Sequence, residues 1–155
     1  MTMTTEVADV TELEALAGSD LGTTDWLSVD QQRIQLFADA TDDQQWIHTD
    51  PERATKESPF GGPIAHGYLT LSLLIPLWSS LLVVRSQKQA VNYGLNKVRF
   101  VSPVPAGARI RLRGVLNEVT RLPNNGAQMT VAATIELEGS DRPACVAEAI
   151  FRVYE

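Results

Sequence analysis

The sequence predicts an α+β domain in which an antiparallel sheet of about five strands wraps a single apolar helix. Three observations carry this prediction. From Ser58 to Val84 the chain holds no Asp, Glu, Lys or Arg, and Leu69 to Val84 is largely aliphatic. Before that stretch apolar residues recur at helical spacing, and after it they alternate between clusters of Pro, Gly and Asn.

The elements follow in order. The first ten residues carry no period and are expected to be disordered; Thr11-Glu12-Leu13-Glu14 fits a capping box opening a short helix closed by Gly18. Residues 1–21 would then form an N-terminal flap and residues 22–155 one domain. Ser28-Val29-Asp30-Gln31 is a second capping box, and Ile34, Phe37 and Ala38 fall at i, i+3, i+4, predicting a helix from about Val29 to Ala40. Its pattern stops at Thr41-Asp42-Asp43-Gln44-Gln45. Asp50-Pro51 offers an N-cap and an N1 proline for another short helix through about Lys56. The loop between them holds Asp43, Trp46 and His48. Ile64-Ala65-His66-Gly67 leads into the apolar helix, expected from Gly67 to about Val84 with a bend at Pro76, where a backbone donor is missing.

Ala90 to Val101, Arg109 to Arg113, Met129 to Leu137 and Ala144 to Tyr154 read as strands, separated by Pro103 to Gly107, Pro123-Asn124-Asn125-Gly126 and Gly139-Ser140-Asp141. Such a sheet has one face to bury, and only Gly67 to Val84 is apolar enough to fill it. Leu69, Leu73, Leu74, Leu77, Trp78 and Leu81 are the predicted core, at about 1.5 to 3 kcal/mol per large side chain before entropy is subtracted.

Composition bounds the function. A chain of 155 residues with 44% hydrophobic and 21% charged residues makes one globular domain with a real core. Thirteen Lys+Arg against nineteen Asp+Glu leave a net charge of -6, which argues against nucleic acid as a partner. Pro59, Gly61, Gly62 and Pro63 in front of the apolar stretch, and Ser72, Pro76, Ser79 and Ser80 inside it, leave fewer than the roughly 20 apolar residues a membrane span needs. A single cysteine, Cys145, and an acidic N-terminus unlike a signal peptide point to the cytoplasm.

Two places can carry chemistry. Asp43 and His48 are five positions apart, about 500° on an α-helix, so their side chains would diverge by about 140° and a shared site requires a loop. A carboxylate beside an imidazole holds a water for acid/base work near neutral pH; the same residues equally suit a turn cap and a histidine satisfied by backbone. His66-Gly67 opens the apolar helix, whose first N–H groups are unpaired and carry the positive end of its dipole. That terminus can hold an oxyanion, with Gly67 admitting a substrate to the backbone; a tight entry turn and a structural His66 are the plainer alternatives. Two histidines eighteen positions apart without a cysteine cluster make a poor metal site, and no Gly-rich loop has phosphate-binding spacing. Arg109, Arg111 and Arg113 read as a solvated strand face. Trp26, Trp46 and Trp78 are too dispersed for a stacking platform.

Taken together, Phe37 to His48, Asp50-Pro51 and Pro63-Ile64-Ala65-His66-Gly67 resemble the MaoC-like dehydratases, the (R)-specific enoyl-CoA hydratases. Gln45-Trp46-Ile47-His48 and Asn92 to Phe100 further resemble the single-domain branch related to nodulation protein N. The resemblance covers about Gly22 to Tyr154. It implies a hot-dog fold, a catalytic aspartate at Asp43, a catalytic histidine at His48, and at Gly67 the backbone N–H that polarises the thioester carbonyl. Gln45 and His66 are the accompanying substrate-binding candidates. Asp42 stands where the family usually has glycine, Gln45 where it has asparagine and Trp46 where it has proline.

The activity so implied is reversible hydration of a trans-2-enoyl-CoA to the (R)-3-hydroxyacyl-CoA by a homodimer. Coenzyme A is part of the substrate, no cofactor is expected, and no metal. A hot-dog thioesterase would use a carboxylate and the same helix terminus to direct water at the carbonyl. A non-catalytic acyl-thioester binder would need the tunnel and no acid/base pair.

Overall fold

The computed structural model describes residues 1–155, which run β1 (Thr5–Val7), α1 (Val10–Ala15), β2 (Ser19–Thr23), β3 (Leu27–Val29), α2 (Gln31–Thr41), α3 (Trp46–Thr49), α4 (Pro51–Glu57), α5 (Gly67–Ser72), α6 (Leu74–Leu81), β4 (Leu82–Val84), β5 (Gln89–Phe100), β6 (Ala108–Leu122), β7 (Gly126–Leu137) and β8 (Cys145–Tyr154). The alternation in the second half does what period two requires: Ile110, Leu112 and Leu116 of β6, Met129, Val131 and Ile135 of β7, and Phe151 and Val153 of β8 all point inward and are buried. The sheet is six-stranded and antiparallel, in the order β2-β6-β7-β8-β5, with β3 also pairing β6. Helices α5 and α6 lie against its inner face, and Leu69, Leu73, Leu74, Leu77, Trp78 and Leu81 are all in the core, as their sequence pattern predicts. This is an α+β hot-dog fold. Gly114 on β6 permits the close approach: a Cβ there would stand 3.0 Å from both Leu81 Cδ1 and Trp78 Cζ3.

Arg109, Arg111 and Arg113 alternate outward and are neutralised by Glu138, Glu136 and Asp20. They form the solvated face the sequence suggested.

Several expected boundaries shift. The apolar helix breaks at Leu73, three residues before Pro76, because the proline ring collides with the turn that precedes it rather than with its own. It also ends at Leu81. Leu82–Val84 is a strand, paired in parallel with Thr5–Val7. The four strands located in the sequence, of about five expected, become a six-stranded sheet because Ser19–Thr23 and Leu27–Val29 extend it at the β6 edge. The first ten residues are not disordered, since Thr5–Val7 is a strand and Val7 and Val10 belong to the core, as does Leu13 of α1. Helix α1 is capped by Asp9, which accepts from Glu12 N, while the Glu12 carboxylate reaches past it to accept from Ala8 N, so the cap lies two residues earlier than Thr11 suggested. Likewise Asp30 rather than Ser28 caps α2, accepting from Arg33 N, because Ser28 is already in β3. Asp50 and Pro51 start α4 as predicted. No helix is long and apolar enough to cross a membrane.

Candidate active site

The site is assembled where the end of α2, the single turn α3 and the entry to α5 meet. Asp42 closes α2 in the left-handed conformation, φ 59° and ψ 17°, which glycine adopts freely and aspartate tolerates better than most residues. That residue turns the chain so that Asp43 leaves the helix axis. The following loop is tied back to α2, with Gln44 Nε2 donating to Asp39 Oδ1 at 2.8 Å and Gln35 Nε2 donating to the same oxygen at 2.9 Å. Gln45 then caps α3, its carbonyl accepting from the His48 and Thr49 N–H groups. The loop expected between residues 41 and 50 thus contains a helical turn, Trp46–Thr49, that fixes His48. Arg53 lies over the Trp46 ring at 4.3 Å, covering the outside of that turn.

Segment 63–66 is pinned from two sides. Ile64 N donates to Ile47 O at 3.0 Å and Ala65 N to Val104 O at 2.8 Å, which draws the start of α5 against α3. The consequence is a shared site. His48 is 6% exposed, and its Nδ1 lies 2.6 Å from the Ile64 carbonyl oxygen. A carbonyl only accepts, so Nδ1 carries the hydrogen and Nε2 of the neutral ring keeps a free lone pair. Burial holds the His48 pKa below its ordinary value; the hydrogen bond to Ile64 and the Asp43 carboxylate oppose this, while His66 adds to it.

His66 stacks on His48, ring centroids 3.9 Å apart and planes 25° from parallel. One ligand atom from each of Asp43, His48 and His66 lies within 4.8 Å of the others. Eighteen positions of separation had argued against such a cluster. The fold creates it by threading segment 63–66 beside α3. These three are the residues that could hold an ion, although His48 Nδ1 and His66 Nε2 are each turned to a backbone carbonyl.

A cavity of about 310 Å³ opens beside His48, walled by Gly67, Thr70, Phe60, Phe100 and Val104 among others. Gly67 is the first residue of α5, where no helical carbonyl precedes it to accept its N–H. A Cβ at Gly67 would meet the Phe100 ring at 2.9 Å, so the backbone is bare on the side facing the cavity wall. Of the residues picked from sequence, His48 and Gly67 line this cavity, Asp43 stands beside His48 on its exposed flank, and His66 is buried behind it. Gln45 is exposed, lines no wall of the cavity, and serves the site through its backbone as the α3 cap. Thr70 went unnoticed in the sequence because it sits within the aliphatic run. Its one signal is its position three residues after Gly67, a turn along the same face, and it is 3% exposed.

The chain is similar to several known proteins. The profile described as "MaoC like domain" matches residues 12–138. The 3-hydroxyacyl-thioester dehydratase Z of Mycobacterium tuberculosis is 52% identical over 143 residues, covering 92% of this chain and 94% of that protein. Nodulation protein N of Rhizobium leguminosarum bv. viciae is 50% identical over 131 residues, covering 84% of this chain and 81% of its own length. Among solved structures, the (R)-hydratase from A. caviae involved in PHA biosynthesis aligns with a TM-score of 0.64 at 25% identity, over 86% of this chain and 96% of that one. The unliganded R-hydratase PhaJ1 from Pseudomonas aeruginosa has the same fold, with a TM-score of 0.71 at 24% identity, over 95% of this chain and 86% of that one.

Proposed function

The chain belongs to the MaoC-like dehydratase family, and on that premise we propose that it reversibly hydrates a trans-2-enoyl-CoA to the (R)-3-hydroxyacyl-CoA. It is a hydro-lyase, and its relatives named for dehydration of 3-hydroxyacyl thioesters support that class of substrate. The observation that carries the reading is the approach of Asp43 to His48, which lines the same cavity as Gly67.

Hydration needs a water held at C3, a proton for C2, and a partner for the negative charge that grows on the thioester oxygen. Asp43 and His48 Nε2 both accept, so one water can donate a hydrogen to each while its lone pair faces C3. The oxygen bonds to C3, the C2–C3 π electrons move toward the thioester oxygen as an enolate, and the proton given up by water is returned to C2. The Gly67 N–H donates to that enolate oxygen. No electrons change hands, and the reading calls for no metal or redox cofactor. A depressed His48 pKa favours the neutral ring that the water-holding step requires.

A thioesterase would need water at the carbonyl carbon. A carboxylate suffices for that and His48 then has no assigned task, which disfavours the reading, and a pure binding protein has no use for the pair at all. The same proposal includes a cytoplasmic homodimer. The edge strand β5 supports the dimer, with ten of its twelve residues exposed and only β8 as a partner. The test is turnover of a C4 to C16 panel of enoyl-CoA thioesters, followed by loss of enoyl absorbance with a parallel free-thiol assay. Absorbance loss without thiol release is the expected outcome; thiol release without an alcohol product would overturn it in favour of hydrolysis.

A further inference from the structure

The geometry points to His66 as the positioning residue of the site, a side chain that aligns Asp43 and His48 on one water without itself touching substrate. The inference rests on the reading of Asp43 and His48 as the catalytic pair.

His66 is 2% exposed and forms no part of the cavity wall. Its Nε2 lies 3.0 Å from the backbone carbonyl oxygen of Asp43, so this nitrogen carries a hydrogen and donates it. The Asp43 carboxylate is farther away, with Oδ2 at 4.0 Å. The ring therefore grips the Asp43 main chain and leaves its carboxylate unengaged by that contact. One flank of the ring stacks on His48 at 3.9 Å, and the Phe37 ring of α2 packs on it at 4.9 Å. His66 is thus wedged between the element that precedes Asp43 and the turn that carries His48.

The second nitrogen explains why the ring stays in that role. His66 Nδ1 is buried with no hydrogen-bond partner. With Nε2 donating to the Asp43 carbonyl, Nδ1 is a bare lone pair with no donor near it, so no competing contact turns the ring away from Asp43. His66 can thus anchor the Asp43 carbonyl through Nε2 while the chemistry proceeds at His48. The titratable groups facing His48 are His66 and Asp43, opposite in sign, the first lowering and the second raising its pKa.

Three variants test this. Gln places an amide N–H near the His Nε2 position, so His66→Gln keeps the donor, whereas His66→Asn falls short and His66→Phe keeps a stacked ring without a donor. The expected result is a kcat at least 30-fold below wild type in His66→Phe and His66→Asn, with KM within threefold, and a kcat within fivefold of wild type in His66→Gln. Equal loss of kcat in the Gln and Phe variants would overturn the inference, as would a rise in KM at unchanged kcat, which belongs to a residue that binds substrate. If His66→Phe does not fold, the Gln and Asn pair decides the same question. Failure of the underlying reading looks different: Asp43→Asn or His48→Gln would remain active with His66 intact.

Discussion

His48 divides its two nitrogens between structure and chemistry, and that division yields two predictions at the residue scale. Because Nδ1 is committed to the Ile64 carbonyl and only Nε2 is left to hold a water, His48→Gln and Asp43→Asn should each lower kcat by about 100-fold or more. That corresponds to roughly 3 kcal/mol of transition-state stabilisation. Steady-state kinetics on folded variants decide it, and near wild-type turnover in either would remove that residue from the mechanism. The pH dependence follows from burial. His48 works as an acceptor in its neutral form, and its folded pKa is held below the ordinary 6.5, so the acid limb of kcat/KM should have its midpoint below 6.5. Activity falls as pH drops through that value, and a midpoint above 6.5 would contradict the picture. Asp43, His48 and Gly67 were legible in the sequence as a motif. The work of His66 was not, because it depends on backbone carbonyls that every sequence has and on a ring stack that forms only after segment 63–66 is pinned between α3 and Val104.

Elements were readable where a local chemical signal starts them and misread where tertiary packing decides. The pair Asp50-Pro51 announced α4 because a side-chain oxygen and a preset φ act within one turn. The C-terminal end of the apolar run could not be read this way: Leu82, Val83 and Val84 suit helix or strand, and the choice falls to β1, which lies far away in sequence and supplies the hydrogen bonds. The Asp42 turn is a local signal in disguise, an aspartate in a left-handed conformation that glycine would reach without strain. How closely α6 seats on the sheet depends on Gly114. Because its missing Cβ is occupied by Trp78 and Leu81, Gly114→Val should cost about 1 to 3 kcal/mol through overpacking. Thermal denaturation should show this as a Tm lower by about 2 to 4 °C per kcal/mol for a chain of this size. An unchanged Tm would mean that the helix is free to lift from β6.

At the scale of the whole molecule, the antiparallel meander and its buried helix were legible because period two and an uncharged aliphatic run are long, redundant signals. The N-terminal segment was not, since Val7, Val10 and Leu13 are scattered among polar residues and gain meaning only as the closing wall of the core. The open feature that remains is β5, an edge strand bearing exposed Tyr93, Leu95 and Phe100. Pairing of two such edges would join the sheets symmetrically and cover these side chains. Light scattering should give twice the 17.0 kDa chain mass, and Leu95→Glu should shift it toward a single chain. A fully active 17.0 kDa particle at micromolar concentration would rule out assembly as part of the enzyme. The central claim is that Asp43 and His48 hold one water against one face of an enoyl thioester, with Gly67 receiving the enolate. Its most direct measurement couples the hydration product to dehydrogenases specific for each 3-hydroxyacyl-CoA enantiomer. The account predicts the (R) alcohol almost alone, and predominantly (S) product, however fast it forms, would contradict it.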